Sequence, residues 1–350
     1  MNSLSGKYWP AHPKPLPEET VSSWLLRTIK ANIGNQPIHR FCRLEFGVNN
    51  PIWTRDTDRN LNSEVMKVLS EKSGVALDEI NMMLLGSYEG IVFEKHNQVG
   101  SSKWILPIGV YHRERKRFGQ QWCPLCLKED ATPYYRRHWR MAFSSCCFKH
   151  GRLLRDRCYY CAAPCMPHRG NFLHCSRCNR TLLDQYQGPA ESVAMQAEYV
   201  LRKRSIDGMT TLDHQTHINP IAYFDIWHQL LGVLHGSKRS AEFRHQITKL
   251  FGGISILESA SKKNNQFEYL GPRDRHTLIS MVSRIMSGWP FMLVGLSAES
   301  RVWSSCILKD MNPVRYELWK VAKNYLAGPI TPRCYPTDIE MHDRASGPQN

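Results

Sequence analysis

Cysteines and histidines at two-residue spacings crowd the middle of the chain. Nine of the twelve cysteines fall between Cys123 and Cys178. Apart from Cys165, they read in order Cys123-Pro-Leu-Cys126, Cys146-Cys147-Phe-Lys-His150, Cys158-Tyr-Tyr-Cys161 and Cys175-Ser-Arg-Cys178. A gap of two lets one tight turn aim both ligands at one ion, and a second such turn closes a tetrahedron. Filling the turns in sequence order predicts two structural zinc ions. The first would be held by Cys123, Cys126, Cys147 and His150, and the second by Cys158, Cys161, Cys175 and Cys178. All eight ligands are protein groups, so neither site keeps the open position that catalytic zinc needs.

Other chemistries fit the cysteines less well. A disulfide framework needs an oxidising compartment, and the N-terminus shows no apolar signal-peptide core. A redox Cys-x-x-Cys would be one pair beside a βαβ pattern, not four turns in tandem. His112-Arg-Glu114 followed by Cys123 and Cys126 imitates a zinc deaminase. That reading leaves Cys147 and His150 unused, and Glu114 sits in a basic run. Cys146 neighbours Cys147, but only Cys147 has the Cys-x-x-His spacing, which makes Cys146 a buried spare thiol. Cys165 and His168 form a further Cys-x-x-His that competes with Cys175 and Cys178; matched Cys-x-x-Cys knuckles favour the later pair. His138 and His174 read as ordinary imidazoles.

The formal charge of +15 points to a polyanionic partner, DNA or RNA. A merely basic, solvated surface is the plainer reading. The candidate contacts are the run Arg113, Arg115, Lys116 and Arg117, then Arg136, Arg137 and Arg140, and then Arg177 and Arg180. The middle three lie in Tyr134-Tyr-Arg-Arg-His-Trp-Arg140, whose aromatics and arginines could stack on bases. They could equally cover a zinc module that lacks a core of its own. No paired acidic cluster or Gly-x-x-x-x-Gly-Lys-Ser/Thr loop is present, so the chain is not expected to be an enzyme. No apolar run reaches the length of a membrane span, and a cytoplasmic location is expected.

Around these groups the pattern is mainly α, with small zinc-ribbon modules. Residues 1–110 read as an N-terminal helix-turn-helix-like domain, 111–188 as tandem zinc modules, 189–330 as a C-terminal helical domain and 331–350 as a flexible tail. The Pro-rich start is expected to dock Tyr8 and Trp9 on the body. Val21, Trp24, Leu25 and Ile29 recur at helical spacing, with Gly34 as the stop. Pro37 opens a second helix that stops at Gly47. Asn62 caps a third, which ends at Gly74, and Leu77, Ile80 and Leu84 form the next. The last two resemble a helix-turn-helix, but between Gly74 and Gly86 there are acids and no Arg or Lys. A groove-reading helix brings cations or amides, so protein is the expected partner of this pair. Further helices are expected from Glu191, over 220–234, 241–250, 276–286 and 314–326, with loops at Gly252-Gly253 and 262–265 and a loose tail from Pro329.

Three features of the first half resemble the TniQ/TnsD family of transposon target-selection proteins. The opening Leu16-Pro17-Glu18-Glu19-Thr20-Val21-Ser22-Ser23-Trp24-Leu25 is similar to the family's Leu-Pro-x-Glu-Ser/Thr-x-x-Ser-Trp-Leu. Glu71-Lys-Ser-Gly74 with Leu77-Asp-Glu-Ile80 is a second feature, and the order of the zinc knuckles is the third. The resemblance implies an adaptor joining a target-recognition device to the AAA+ regulator TnsC, and through it to the transposase. Chain length is most similar to the TniQ of CRISPR-associated transposons, which implies docking on a Cascade-type ribonucleoprotein, with DNA or guide RNA nearby and homodimerisation in some systems. The alternative is a TnsD-like protein that reads an attachment site in DNA directly.

Overall fold

The computed structural model describes residues 6–34, 36–49, 52–97, 100–109, 117–169, 172–212, 216–236, 238–252 and 266–328. Among them are twelve α-helices, several one-turn 3₁₀ segments and one short antiparallel hairpin. The 262–265 loop, Gly253, the tail from residue 329, and Arg113, Arg115 and Lys116 lie outside the described residues.

The N-terminal part packs α1 (Val21–Ile33), α2 (Ile38–Phe46), α3 (Ser63–Ser73) and α4 (Leu77–Met83) around one apolar cluster. Helix α1 starts at Thr20, whose Oγ1 accepts the Ser23 amide at 3.2 Å, and stops at Gly34 with φ 60°. Its stripe of Val21, Trp24, Leu25 and Ile29 is fully buried. Asn62 caps α3 by accepting the Glu64 amide, and Gly74 ends it in the left-handed region that a side chain would resist. Trp9 is buried in this cluster, with its amide on the Lys72 carbonyl at 2.9 Å and its indole on Glu45 at 2.8 Å. Tyr8 stays 43% exposed, so only one member of the N-terminal pair is anchored in the core.

Apolar cluster membership changes near residue 84. Leu85, Tyr88, Val92, Trp104 and Leu106 belong to the apolar core of the C-terminal helices. That core is built by α6 (Ser192–Asp207), α7 (Pro220–Gly236), α8 (Lys238–Phe251), α9 (Pro272–Ser287), α10 (Phe291–Ser300), α11 (Ser304–Ile307) and α12 (Tyr316–Tyr325). Trp104 is its inner anchor, ringed by Phe143, Phe224 and Phe267 at 5.8–6.0 Å between centroids. An indole can fill space there that a strand-like segment alone could not, which explains why 85–106 joins the later helices. No single helix among the described residues is long and apolar enough to cross a membrane.

Between these two bodies lies a third cluster, made of cysteines and aromatics. Trp122, Tyr135, Trp139 and Phe172 pack with the sulfurs, and Leu26 of α1 closes one side.

Candidate metal centres

Each of the eight predicted ligands sits on a short turn. The first pair opens α5 (Pro124–Glu129), with Cys123 before the helix and Pro124 in its first turn, where a missing N–H costs nothing. The second pair comes from the hairpin of β1 (Cys146–Cys147) and β2 (Arg152–Leu153), with His150 in the connection. In the remaining knuckles the residue after the second ligand turns left-handed. Gly151 has φ 59°, Ala162 φ 53° and Asn179 φ 56°. That bend brings the following amide back: Gly151 N–H donates to the Cys147 carbonyl at 2.8 Å, Ala162 to Cys158 at 2.9 Å and Asn179 to Cys175 at 2.9 Å.

The four ligand atoms of Cys123, Cys126, Cys147 and His150 converge, as do those of Cys158, Cys161, Cys175 and Cys178. Zn–S bonds of about 2.3 Å set tetrahedron edges of about 3.8 Å between sulfurs, and about 3.5 Å between sulfur and nitrogen. His150 Nδ1 lies 3.4 Å from each of Cys123, Cys126 and Cys147, and the Cys126 and Cys147 sulfurs are 3.5 Å apart. In the second group Cys158–Cys178 measures 3.7 Å and Cys161–Cys175 3.6 Å. These separations are far above the roughly 2.05 Å of a disulfide. The donor sets, of soft sulfur with one imidazole, therefore fit zinc. Bound there, zinc would supply cross-links between turns and no reaction.

Outer contacts orient the ligands. Nδ1 of His150 faces the sulfurs, which leaves Nε2–H to donate to Glu129 at 3.1 Å, the carboxylate support common to metal-bound histidines. Gln185 donates an amide N–H to Cys158 Sγ at 3.6 Å.

The competing ligands are placed elsewhere. His168 stacks on Trp53, with ring centroids 5.3 Å apart and an interplanar angle of 3°. Cys165 Sγ lies 3.4 Å from the Tyr135 hydroxyl, and burial pushes its thiol up to about 12. Cys146 is buried as expected for a spare thiol, but it has a partner. Its sulfur is 3.3 Å from Glu198, and its amide donates to the same carboxylate.

Cys146, Glu198 and His276 form a third convergence that sequence reasoning missed. Its hydrogen bonds explain it without a metal. The Glu191 amide donates to His276 Nε2 at 2.9 Å, so the proton sits on Nδ1 and is given to Glu198 at 2.8 Å. Glu198 also accepts the Ser145 amide at 2.8 Å and the Ser145 hydroxyl. Burial raises the Glu198 carboxyl, but these donors, His276 foremost, hold it below the ordinary value. The carboxylate thus ties β1 to α6 and α9. The available sequence signal was Glu198 itself, one turn from Ala194 on the apolar face of α6.

The expected nucleic-acid arginines divide. Arg140 has no exposed side chain: it pairs with Asp56 at 2.6 Å and Asp58 at 2.8 Å. Arg136 pairs with Asp130 at 2.8 Å and lies over Tyr134 and Trp139. Arg137 covers Tyr88 and donates to Met82 and Ser87. The tract 134–140 thus acts largely as scaffolding, because the small cysteine-rich module uses its aromatics as core and its arginines as bridges to neighbouring parts. Arg140 therefore has no surface to offer a nucleic acid, whereas Arg136 and Arg137 stay partly exposed. Arg177 and Arg180 are exposed, and Arg117 is partly exposed.

On the N-terminal body, α4 presents Leu77, Asp78, Glu79, Asn81 and Met82 to solvent. The helix itself carries no Lys or Arg.

A search among curated proteins finds no match for the chain. The family model TniQ matches residues 10–154. That span runs from the buried Trp9–α1 junction through the first metal centre. With its opening motif, helical body and first ligand cluster in that order, residues 10–154 are a TniQ domain.

Proposed function

We infer that this protein is a non-catalytic adaptor for transposition target selection. It would link an RNA-guided Cascade-type complex to the AAA+ regulator TnsC and hence to the transposase. The TniQ domain over residues 10–154 supports the target-selection role. The observation that favours an adaptor over a direct DNA reader is the solvent face of α4. Leu77, Asp78, Glu79 and Met82 offer apolar and acidic groups, which suit a protein partner and repel phosphate. In this reading the metal centres are structural pins that hold the two helical bodies in one orientation for partners on either side. DNA or guide RNA would approach the basic surface, and a homodimer would present two copies of the same adaptor.

The test is co-purification of the full chain with a candidate Cascade complex and with TnsC, each with and without nuclease treatment. Nuclease-resistant capture of both, lost on Leu77→Asp/Met82→Asp substitution, is the expected result. The rival reading is a TnsD-like reader of one attachment site. It requires a preference for one duplex over scrambled DNA by orders of magnitude at physiological salt. An adaptor instead gives weak, steeply salt-dependent binding with no favoured sequence.

A further inference from the structure

The second candidate metal-binding ribbon carries exposed tyrosines to which the adaptor reading gives no role. Tyr159 and Tyr160 occupy the turn between Cys158 and Cys161, and they are 56% and 47% exposed. Tyr186 follows the ribbon and is 63% exposed. Among the described residues 151–187, these three tyrosines are the exposed large apolar side chains. Arginines join them into one strip. Arg180 lies over the Tyr160 ring at 4.3 Å, and Arg155 approaches the Tyr159 ring at 5.6 Å. Arg155 also donates to the Tyr186 carbonyl at 3.3 Å.

The charge around the strip favours an anion. Residues 151–187 contain six arginines and two aspartates. Both aspartates are already paired, Asp156 with Arg157 and Asp184 with Lys128. A loaded four-thiolate zinc site adds about two negative charges, which still leaves the ribbon positive.

The ring geometry favours unpaired bases. The Tyr159 and Tyr160 rings are 5.5 Å apart and nearly perpendicular, at 86°. Two such faces cannot both meet one continuous base stack, but they can each take one splayed base. A duplex hides its base faces and offers only edges. Stacking on aromatic rings beside guanidinium groups is the way unpaired strands are held. Each ring also ends in a hydroxyl that can donate to or accept from a ribose 2′-hydroxyl, the group that deoxyribose lacks.

The geometry points to a docking strip for single-stranded RNA, formed by Tyr159, Tyr160 and Tyr186 with Arg155 and Arg180. Bases stack on the rings, and phosphates meet the guanidinium groups. This inference does not depend on the partners of α4.

The test is fluorescence anisotropy of the zinc-loaded full chain with a labelled, unstructured RNA of about 15 nucleotides. The same sequence as single-stranded DNA and as duplex provides the other arms. RNA is expected to bind more tightly than single-stranded DNA, and duplex most weakly. Tyr159→Ala/Tyr160→Ala should lose roughly tenfold or more in RNA affinity. The corresponding Phe variants should keep the stacking and lose only the preference for RNA over DNA. Arg180→Ala should lower the salt slope by about one. Tyr186→Ala lies outside both knuckles, so it tests the strip even if the double variant fails to hold zinc. Wild-type RNA affinity in Tyr186→Ala and in the folded double variant would overturn the proposal. So would equal affinity for single-stranded DNA, or duplex bound as tightly as RNA.

Discussion

Glu18 and Arg202 are separated by 184 residues in the chain and 2.5 Å in space. The same Glu18 oxygen accepts Nδ1–H of His138 at 3.0 Å. One carboxylate thus holds the N-terminal body, the cysteine-rich middle and α6 together. Burial would raise its pKa, but His138 and Arg202 bring it down to about 2. Burial also depresses His138 to about 4, only partly offset by Glu18, so at neutral pH the ring is a neutral donor to an ionised acceptor.

Stability should therefore fall on mild acidification. Unfolded His138 binds a proton below about 6.5, whereas the folded ring resists until about 4. The unfolded state binds more protons in that window, so stability declines as pH drops through it, by about 3 kcal/mol in all. Glu18 stays ionised across the window. Thermal melts at pH 7.5 and 5.5 should show the loss in wild type and a smaller one in His138→Gln, whose amide cannot titrate. Equal losses in the two proteins would rule out this source.

Arg140 bridges to the N-terminal body through Asp56 and Asp58. Asp58 also accepts the amide and hydroxyl of Ser22, at the start of α1. Burial nonetheless lifts the Asp58 carboxyl above its usual range, so it depends on its cation. Arg140→Ala should cost about 3–5 kcal/mol in urea unfolding, because a buried acid loses its partner. Nucleic-acid affinity per folded molecule should not change, since the side chain has no exposed surface.

Elemental analysis of protein purified without chelator should return two zinc ions per chain. Cys123→Ser and Cys158→Ser should each lose at least one and unfold their own module, since metal binding there is folding free energy. Cys146→Ser and Cys165→Ser should keep both ions, because neither sulfur joins a four-ligand group. One zinc or none in wild type would refute the double assignment.

Glu129 holds the imidazole of His150 from outside the first centre, at 3.1 Å. Glu129→Ala should weaken metal retention at that centre by about tenfold in a chelator competition, with the second centre unchanged. The exposed position of Glu129 places the effect at the lower end of what such partners contribute.

Local geometry was legible in the residues. Asn62, Gly34 and Gly74 end helices where they stand because capping and the left-handed turn involve only near neighbours. The eight ligands could be grouped from spacing because a two-residue gap fixes a knuckle by itself, and the fold brings together those same eight atoms. Which arginine faces water was not legible. Arg140 and Arg180 occur in similar basic contexts, yet one is buried against Asp56 and Asp58 and the other is exposed. Their partners lie tens of residues away, and no local pattern encodes such a pairing. The same holds for Glu18 with Arg202, for Glu198 with His276, and for Trp104, which carries 85–106 into the later core. The sequence by itself determined the turns, the caps and the metal-binding chemistry, whose forces act over a few residues. Tertiary structure alone decided which charges became internal bridges and which stayed on the surface, because burial and pairing depend on chain segments that meet only when the whole molecule closes.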